Sequence, residues 1–494
     1  MKNNSSKSMI PGHQSYYEAF KAHDARFDGR IFIGVSSTGI YCRPVCRVKT
    51  PKLENCSFHI SAAAAEAAGF RPCLKCRPEL APGLAPVDAA SRLARQAALL
   101  MQNNDYSENG LATLAQCLGV TSRHLRRVFA AEYGVSPIQY QQTRRLLLAK
   151  QLLADTRLSV TQVAYSAGFG SLRRFNELFK TRYRLNPTTF RRTKGIAAEK
   201  PDDGLTLRLD YRPPYQWDKM LNFLASRTIT GVESVADGAY RRTVALADAE
   251  KTHRGWISVK GAGSTALALT VSPSLLPVLA KIMARVRHLF DLDCDPVLIG
   301  EKLSVMNDFK PGLCPKEACR VPGCFEPFEM AVRAIVGQQV TVKAARTLAD
   351  RLAEKFGSPL ETPFADLNRS FPEPTIINNL SGLIENNFGP LGIIATRARS
   401  IKILASAMVE GRLTLSPTAN PEVEMKNLLD LPGFGPWTVQ YLAMRALNWP
   451  DAFPHTDYGV KKALGLSSPA EILRLAEQWR PWRSYATIML WNSL

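Results

Sequence analysis

The chain has 494 residues, too many for one compact core, and at roughly 100–200 residues per domain this length predicts three or four domains. Its 46% hydrophobic and 21% charged residues are typical of globular proteins and exclude disorder as the main state. No uninterrupted apolar stretch reaches about 18 residues, which excludes a membrane-spanning helix. The net charge of +20 indicates an anionic partner.

The positive charge is concentrated in the first part of the chain. Residues 1–200 hold 30 basic and 13 acidic side chains, a balance of +17, whereas residues 201–494 hold 33 and 30, a balance of +3. A charge excess confined to one part of a chain indicates a partner rather than a fold. Because the sequence shows no amphipathic membrane helix and no lipidation motif, nucleic acid is the favoured partner and a membrane is not.

The first segment, residues 1–85, is predicted to be a small α/β domain. Short apolar runs at 31–35, 39–41 and 57–60 are typical of strands, and an alanine-rich stretch at 61–68 is typical of a helix. Such a small unit buries little apolar surface, so a bound metal ion is expected to contribute much of its stability.

Four of the ten cysteines form two close pairs. Residues 1–9 show no apolar signal segment, so we expect the reducing cytoplasm, where disulfides are rare. Cys42 and Cys46, followed by Cys73 and Cys76, have the spacing of a four-cysteine site for one Zn²⁺ ion. The alternative is a chance grouping of buried thiols.

Five other cysteines give weaker indications. Cys56 and Cys117 have apolar neighbours and are expected to be inert core residues. Cys314, Cys319 and Cys324 have four residues between neighbours. They are either three ligands of an incomplete metal site or ordinary loop thiols.

Residues 86–194 are predicted to be helical, with an internal repeat at an offset of 50 residues. The matching positions are Leu114 and Ala164, Phe129 and Phe179, Tyr133 and Tyr183, Pro137 and Pro187, and Tyr140 and Phe190. Each copy has a short helix, a glycine-containing turn and an arginine-rich helix, at 121–133 and 171–183, with Thr121 and Ser171 as candidate N-caps. This pattern is typical of a helix-turn-helix, here present twice.

The arginines of the two second helices are the candidate DNA contacts of this region. They are Arg123, Arg126, Arg127, Arg173 and Arg174. Isolated charges on a helix usually mark a solvated face, but two copies within the strongly basic part of the chain favour a DNA groove.

A different composition begins after a polar linker at 195–204. Alternating apolar residues predict an antiparallel sheet over 205–272, followed by a helix at 277–291, and we place this subdomain at 205–305. Residues 306–494 have mostly helical periodicity, with candidate helices at 325–336, 340–356, 396–410, 436–447 and 469–479. The predicted fold class is therefore multidomain and mainly α, with α+β parts.

A hairpin motif lies between two of these helices. The string Leu431-Pro-Gly-Phe-Gly-Pro-Trp-Thr438 is typical of a helix-hairpin-helix, and residues 306–494 are predicted to form an all-α domain around it. Gly433 and Gly435 allow the backbone to approach a phosphate closely. The N–H groups at the start of the following helix form an anion site.

A lone carboxylate follows about twenty residues later. Asp457 lies in the string Phe453-Pro-His-Thr-Asp-Tyr458, and the simplest interpretation is a surface residue or a helix N-cap. Trp437, Tyr441 and Trp491 instead favour an aromatic pocket for a base extruded from the duplex. Such a pocket favours cationic, electron-poor bases.

Several strings resemble known DNA-repair families. Residues 205–494 resemble 3-methyladenine-DNA glycosylase II of the AlkA type, through Tyr211-Arg-Pro-Pro-Tyr-Gln-Trp217, Val332-Arg-Ala-Ile-Val-Gly-Gln338, the hairpin and Trp482-Arg-Ser-Tyr-Ala486. Residues 27–80 resemble the zinc domain of the Ada methyl-phosphotriester repair protein, through Gly39-Ile-Tyr-Cys-Arg-Pro-Val-Cys46 and Gly69-Phe-Arg-Pro-Cys-Leu-Lys-Cys76. Residues 87–192 are similar to the paired helix-turn-helix of AraC-type regulators. The chain thus resembles an Ada–AlkA fusion.

The resemblance implies roles for particular residues. Asp457 would be the catalytic carboxylate, and Cys42 would be both a zinc ligand and the methyl acceptor. Arg43 and Arg47, which neighbour the zinc cysteines, would contact DNA. Gln339 stands where AlkA-type enzymes have an apolar wedge, and it would fill the gap left by the flipped base.

The resemblance also implies partners and an activity. We expect a monomer that binds double-stranded, alkylated and promoter DNA, with RNA polymerase as a protein partner and a monovalent cation at the hairpin. It would be a bacterial, nucleoid-associated repair glycosylase, methyl acceptor and damage-responsive regulator. Two alternatives stay open: a transcription factor whose second half only senses damage, and a glycosylase with a purely structural zinc module.

Overall fold

The computed structural model describes residues 13–23, 28, 31–59, 62–76, 78, 93–98, 100–101, 110–192, 204–248, 251–314 and 319–494. The chain forms two compact units, of which one contains residues 1–98 and 111–137 and the other contains residues 99–110 and 138–494. The predicted linker at 195–204 lies outside the described residues except for Gly204. The predicted domain boundaries stay predictions.

A four-stranded sheet organises the first unit. Its strands are β1 (Phe32–Val35), β2 (Ile40–Cys42), β3 (Cys56–His59) and β4 (Arg71–Pro72), in the order β3-β1-β2-β4. β4 pairs in parallel with β2, whereas β1 pairs antiparallel with β2 and β3. Helix α1 is His13–Lys21 and helix α2 is Ala62–Ala67. The three predicted strands and the helix are confirmed, and β4 is additional.

The helix-turn-helix repeat is confirmed at the level of single side chains. The helices are α3 (Leu111–Cys117), α4 (Ser122–Tyr133), α5 (Pro137–Asp155), α6 (Val160–Ser166), α7 (Leu172–Tyr183) and α8 (Pro187–Arg192). Thr121 and Ser171 cap α4 and α7 as predicted, each accepting a backbone N–H three residues on. An equivalent aromatic pair lies in each copy. The ring centroids of Phe129 and Tyr133 are 4.6 Å apart in α4, and those of Phe179 and Tyr183 are 4.5 Å apart in α7.

One cysteine prediction in this region is wrong. Cys117 is exposed, whereas Cys56 is buried as expected. The buried residues of α3 are Leu111, Leu114 and Ala115, which share one helical face. Cys117 lies at the end of that helix, away from this face, so apolar neighbours in the sequence did not make it a core residue.

A five-stranded antiparallel sheet follows residue 204. Its strands are β5 (Leu205–Asp210), β6 (Glu233–Ala236), β7 (Ala239–Ala247), β8 (Thr252–Gly261) and β9 (Ala266–Val271), in the order β5-β9-β8-β7-β6. Leu205, Leu207 and Leu209 are buried and their neighbours are exposed, which confirms the predicted alternation. The predicted helix at 277–291 begins as a 3₁₀ turn, Pro273–Val278, and becomes α-helical at Leu279. Pro277 explains the late start, because proline lacks the N–H that an interior helical position needs.

The second helix-turn-helix copy and this sheet share one apolar core. Phe175 and Phe179 of α7 belong to the same buried cluster as Leu207 and Val278. Helix α6 packs against the 3₁₀ turn, and the side-chain amide of Gln151 donates to the Arg208 carbonyl at 2.9 Å. This copy is therefore packed onto the sheet.

Of the remaining helices, the two at 217–225 and 279–289 pack into the core that they share with the sheet, and the others surround a second core. In chain order, the remaining helices are α9 (Trp217–Ala225), α10 (Leu279–Leu289), α11 (Pro296–Leu303), α12 (Met306–Phe309), α13 (Pro327–Val336), α14 (Val342–Phe356), α15 (Pro374–Asn378), α16 (Ile384–Phe388), α17 (Ala395–Val409), α18 (Pro421–Leu429), α19 (Pro436–Arg445), α20 (Tyr458–Leu464), α21 (Pro469–Ala476) and α22 (Arg483–Asn492). The predicted helices are present, with ends shifted by up to three residues. The hairpin connects α18 to α19. No helix in the described part of the chain is long and apolar enough to cross a membrane.

Candidate zinc centre and base pocket

The two cysteine pairs meet at the ends of two paired strands. β2 ends at Cys42, and Cys73 follows β4, whose partner in the parallel ladder is β2. The Cys73 amide donates to the Tyr41 carbonyl at 3.0 Å, which holds the second pair beside the first. All four cysteines are buried, and their ligand atoms lie within 4.8 Å of one another. In the described residues this is the single group of this kind, so Cys314, Cys319 and Cys324 form no such site.

The chemistry of the four sulfurs fits one zinc ion. Hydrogen bonding between Cys42 and Cys46 raises the pKa of Cys42 and lowers the pKa of Cys46 to about 3. Four buried thiolates need a cation to offset their charge, and Zn²⁺ prefers a tetrahedral set of this kind.

Arg43 has a different place from the one predicted. Its side chain is fully buried, and it forms an ion pair with Asp28 while donating to the Cys76 carbonyl at 3.2 Å. Its backbone N–H also donates to the Cys76 sulfur at 3.5 Å. A guanidinium enclosed in this way supports the cysteine loop rather than contacting DNA. Arg47 is exposed, as a DNA contact requires.

The five arginines predicted for the recognition helices are all exposed. In α4, Leu125, Val128 and Phe129 are buried, so the arginines of that helix lie on its opposite, solvated side. In α7, the Arg173 guanidinium lies 3.6 Å from Glu177 in an exposed pair, which is a weak interaction that a phosphate can replace. Their exposure is compatible with DNA binding.

Asp457 is held at the start of α20 by three N–H donors. One carboxylate oxygen accepts the Trp437 indole N–H at 2.9 Å. The other accepts the Trp491 indole N–H at 2.9 Å and the Val460 backbone N–H at 3.1 Å. Asp457 is thus a helix N-cap and also the meeting point of two aromatic side chains that are distant in sequence.

The three predicted pocket aromatics lie together beside this carboxylate. The ring centroids of Trp437 and Tyr441 are 5.2 Å apart and their planes differ by 14°, which is a stacked arrangement. The rings of Tyr441 and Trp491 are 6.4 Å apart and tilted by 41°. All three side chains are half-buried. Aromatic faces beside a fixed negative charge suit a flat, electron-poor base.

Two further residues of this site were not predicted. A Cβ atom at Gly459 would lie 2.9 Å from the Trp491 ring, so glycine is what allows the indole to reach Asp457. Arg445 lies one helical turn after Tyr441 and donates to its hydroxyl at 2.8 Å. Trp437, Tyr441 and Arg445 follow one another at intervals of four residues, which places them on one face of α19. This spacing is the sequence signal from which Arg445 could have been predicted.

The hairpin is tied to the loop that carries the predicted wedge. Gly433 has φ +90°, and its carbonyl accepts the Gln338 side-chain amide at 3.0 Å. The same amide donates to the Thr438 hydroxyl at 3.0 Å. Gln339 follows with φ +55° and an exposed side chain. The structure therefore presents Gln339 to solvent on a turn fixed to the hairpin, as a residue that enters DNA requires.

Three family models match successive parts of the chain. The metal binding domain of Ada matches residues 15–79, a helix-turn-helix domain matches residues 114–193, and the AlkA N-terminal domain matches residues 206–326. A relative matches nearly the whole length. It is the probable bifunctional transcriptional activator/DNA repair enzyme AlkA of Mycobacterium tuberculosis, 35% identical over 97% of this chain and 96% of the relative. The chain belongs to this bifunctional Ada–AlkA family.

Two other relatives each match one part of this Ada–AlkA protein. DNA-3-methyladenine glycosylase 2 of Escherichia coli is 37% identical over 284 residues, covering 57% of this chain and 95% of that protein. The bifunctional transcriptional activator/DNA repair enzyme Ada of Escherichia coli is 36% identical over 153 residues, covering 31% of this chain and 42% of that protein. The predicted fusion and its fold class are confirmed.

Proposed function

We propose that this Ada–AlkA protein hydrolyses the N-glycosidic bond of alkylated bases in duplex DNA and accepts a methyl group from a DNA phosphotriester on Cys42. The observation that carries the first activity is the Asp457 carboxylate, fixed by the indoles of Trp437 and Trp491 at the edge of an aromatic pocket. The relation to DNA-3-methyladenine glycosylase 2 supports 3-methyladenine as the kind of base removed.

The mechanism follows from the charge of the substrate. Alkylation at a ring nitrogen makes the purine cationic, so the base leaves as a neutral molecule and needs little protonation. The sugar that remains has oxocarbenium character, and a nearby carboxylate stabilises that positive charge. The donors on both oxygens of Asp457 hold its charge in one place, so little reorganisation is needed when the cation forms. The same carboxylate orients the water that adds to the sugar.

The surrounding groups would hold the DNA. The hairpin N–H groups around Gly433 and Gly435 would bind a backbone phosphate, and Gln339 would fill the space of the flipped nucleotide. We include in this proposal a monovalent cation bound by hairpin carbonyls, and Arg47 and the helix-turn-helix arginines as phosphate contacts.

Replacing Asp457 by Asn tests the first activity directly. We expect release of methylated bases to fall by at least about 100-fold, because the charge opposite the oxocarbenium ion is lost. The Asn amide would also face one indole N–H with its own donors, so the thermal unfolding midpoint must be measured alongside. Asp366→Asn changes an exposed aspartate and serves as the matched control. Unchanged base release by a folded Asp457→Asn variant would refute the assignment.

Methyl transfer, the second proposed activity, would take place at the zinc centre. The four cysteines would hold a zinc ion, which would keep their sulfurs deprotonated and give the site a net charge of about −2. Cys42 then attacks the methyl carbon, the new S–C bond forms, and the O–C bond breaks with its electron pair returning to the phosphate oxygen. Backbone N–H groups of Arg43 and Val48 donate to Cys76 and Cys46, which weakens those two sulfurs as nucleophiles. This favours Cys42 or Cys73 over the other two sulfurs, and we propose Cys42 as the acceptor.

Methylation would also change how the protein binds DNA. A thioether in place of a thiolate removes one negative charge from a surface that faces a polyanion, so affinity for DNA should increase. The helix-turn-helix copies would then hold promoter DNA, and contact with RNA polymerase would activate transcription. The relation to the transcriptional activator Ada supports this regulatory role.

A further inference from the structure

The second helix-turn-helix copy is built into the same compact unit as the candidate base pocket. That unit contains residues 138–494, whereas the first copy belongs to the other unit. Phe175 and Phe179 of α7 are buried in one apolar cluster with the leucines of β5. The two copies of the repeat therefore have different structural neighbours, and the second is attached to the glycosylase half, residues 201–494.

This copy also carries most of the positive charge of its unit. Residues 138–192 hold 11 basic and 2 acidic side chains, a balance of +9, whereas residues 201–494 hold 33 and 30, a balance of +3. The sequence-independent part of DNA affinity comes from cations that replace the counterions of the phosphates. The glycosylase half therefore adds little net attraction for DNA, and the second copy supplies most of what the unit has.

The charged face of α7 is not covered by the packing on the sheet. Arg173 and Lys180 lie two helical turns apart on one side of α7, and the two buried phenylalanines lie on the opposite side. Arg173, Arg174 and Lys180 are all exposed in the intact chain. Glu177, the single acidic residue of this helix, lies between them and forms the exposed pair with Arg173 at 3.6 Å. The helix thus presents a cationic face to solvent, with one negative charge in its middle.

Two binding surfaces on one compact unit can act on the same DNA molecule. Once one surface holds a duplex, binding at the second becomes intramolecular and has a high effective concentration. A duplex captured by the face of α7 would therefore reach the base pocket without a second encounter from solution. This advantage does not depend on an operator sequence, because phosphates are present along any duplex.

We propose that the second helix-turn-helix copy is a DNA-holding part of the glycosylase, and that the face of α7 binds phosphates of the duplex that flanks the damaged base, whatever its sequence. This inference rests on the proposed glycosylase function, and it gives the copy a task besides promoter binding. α7 contributes to the capture of damaged DNA and not to the chemical step. Its loss should therefore weaken binding of the substrate and leave the maximal rate of base release unchanged.

The test measures single-turnover release of 7-methylguanine by the full-length protein, from a duplex of arbitrary sequence with one such base. Replacing Arg173, Arg174 and Lys180 together by Ala should raise the half-saturating protein concentration by about 10–100-fold near physiological salt, because up to three phosphate contacts are lost. The maximal rate should change by less than about 3-fold. The dependence of log half-saturating concentration on log salt concentration should become shallower by up to about 2.7, so the variant and the unmodified protein converge at high salt.

Glu177→Gln makes the opposite change on the same face. It removes the negative charge and leaves Arg173 available for a phosphate, so the half-saturating concentration should fall by about 2–5-fold. Damage to the fold cannot produce such a gain. A half-saturating concentration that rises in this variant would contradict the proposal.

A second triple variant controls for total charge. Lys260 on β8, Lys355 on α14 and Arg412 after α17 are exposed, and replacing all three by Ala lowers the net charge by the same amount. The half-saturating concentration should then rise by less than about 3-fold, because these cations lie on separate elements. Equal rises in the two triple variants, or an unchanged value in the α7 variant, would contradict the proposal. Failure of the unmodified protein to release 7-methylguanine would instead contradict the glycosylase function.

Discussion

Gly433 and Gly435 of the hairpin have different surroundings, although they are two residues apart. A Cβ atom at Gly433 would lie 2.0 Å from the Ser400 hydroxyl oxygen, and its φ of +90° is unfavourable for any other residue. A Cβ atom at Gly435 would meet nothing within 4 Å, and that residue has φ −84°. The fold thus requires glycine at position 433, whereas no contact among the described residues requires it at position 435.

The pair gives a prediction with its own control. Gly433→Ala should reduce the free energy of unfolding by about 1–3 kcal/mol, because the backbone must leave the left-handed region or carry the strain. Gly435→Ala should change it by less than about 0.5 kcal/mol and still weaken binding to duplex DNA if a phosphate approaches the backbone there. Chemical denaturation and a DNA-binding titration measure both. Equal stability losses in the two variants would contradict this account.

Single residues also show where sequence reasoning reaches its limit. The identity of Asp457 and its aromatic neighbours followed from the motif, but their joint hydrogen bonds depend on α19, α20 and α22 coming together. The sequence predicts Arg43 as a DNA contact, whereas the fold buries its side chain in an ion pair with Asp28. Sequence neighbours can indicate the chemical role of a residue, but whether its side chain is buried depends on contacts with distant parts of the chain.

At the scale of helices and strands, local sequence signals were sufficient to predict an element where a capping residue or a clear apolar periodicity was present. Thr121 and Ser171 marked the starts of α4 and α7, and alternation of leucines marked β5. Local signals did not predict β4. This strand has only two residues and is defined by its parallel pairing with β2. The prediction that Cys117 is buried was wrong for a related reason. The elements that pack against a seven-residue helix determine which of its faces is buried.

The arginines of helix α4 are expected to contribute to the salt dependence of DNA binding. Replacing Arg123, Arg126 and Arg127 together by Ala should reduce the slope of log affinity against log salt concentration by about 0.9 for each phosphate that the variant no longer binds, up to about 2.7. The buried face of α4 is untouched, so folding should be unaffected. Arg412→Ala is the control, because this exposed arginine is already paired with Glu410 at 2.6 Å in the other half of the chain. An unchanged slope in the triple variant would exclude α4 as a phosphate-binding helix.

At the scale of the whole molecule, charge and structure divide the chain at different places. Most of the net charge lies before residue 201, yet the second helix-turn-helix copy belongs to the same compact unit as the glycosylase half. Its shared core with the sheet, through Phe175, Phe179 and Val278, is the physical reason. The charge distribution of the sequence predicted an anionic partner for the first part of the chain, but not this packing, because no local pattern specifies which apolar faces meet.

The most direct test of the central claim, two repair activities in one chain, is one incubation with duplex DNA that carries both methylated bases and methyl phosphotriesters. Released bases are measured by chromatography and modified cysteines by mass spectrometry. We predict base release together with a single added methyl group on Cys42 and none on Cys117, the exposed thiol outside the zinc site. Asp457→Asn should abolish only base release, and Cys42→Ser should abolish only methyl transfer. Absence of base release, or methylation of Cys117 in place of Cys42, would contradict the account.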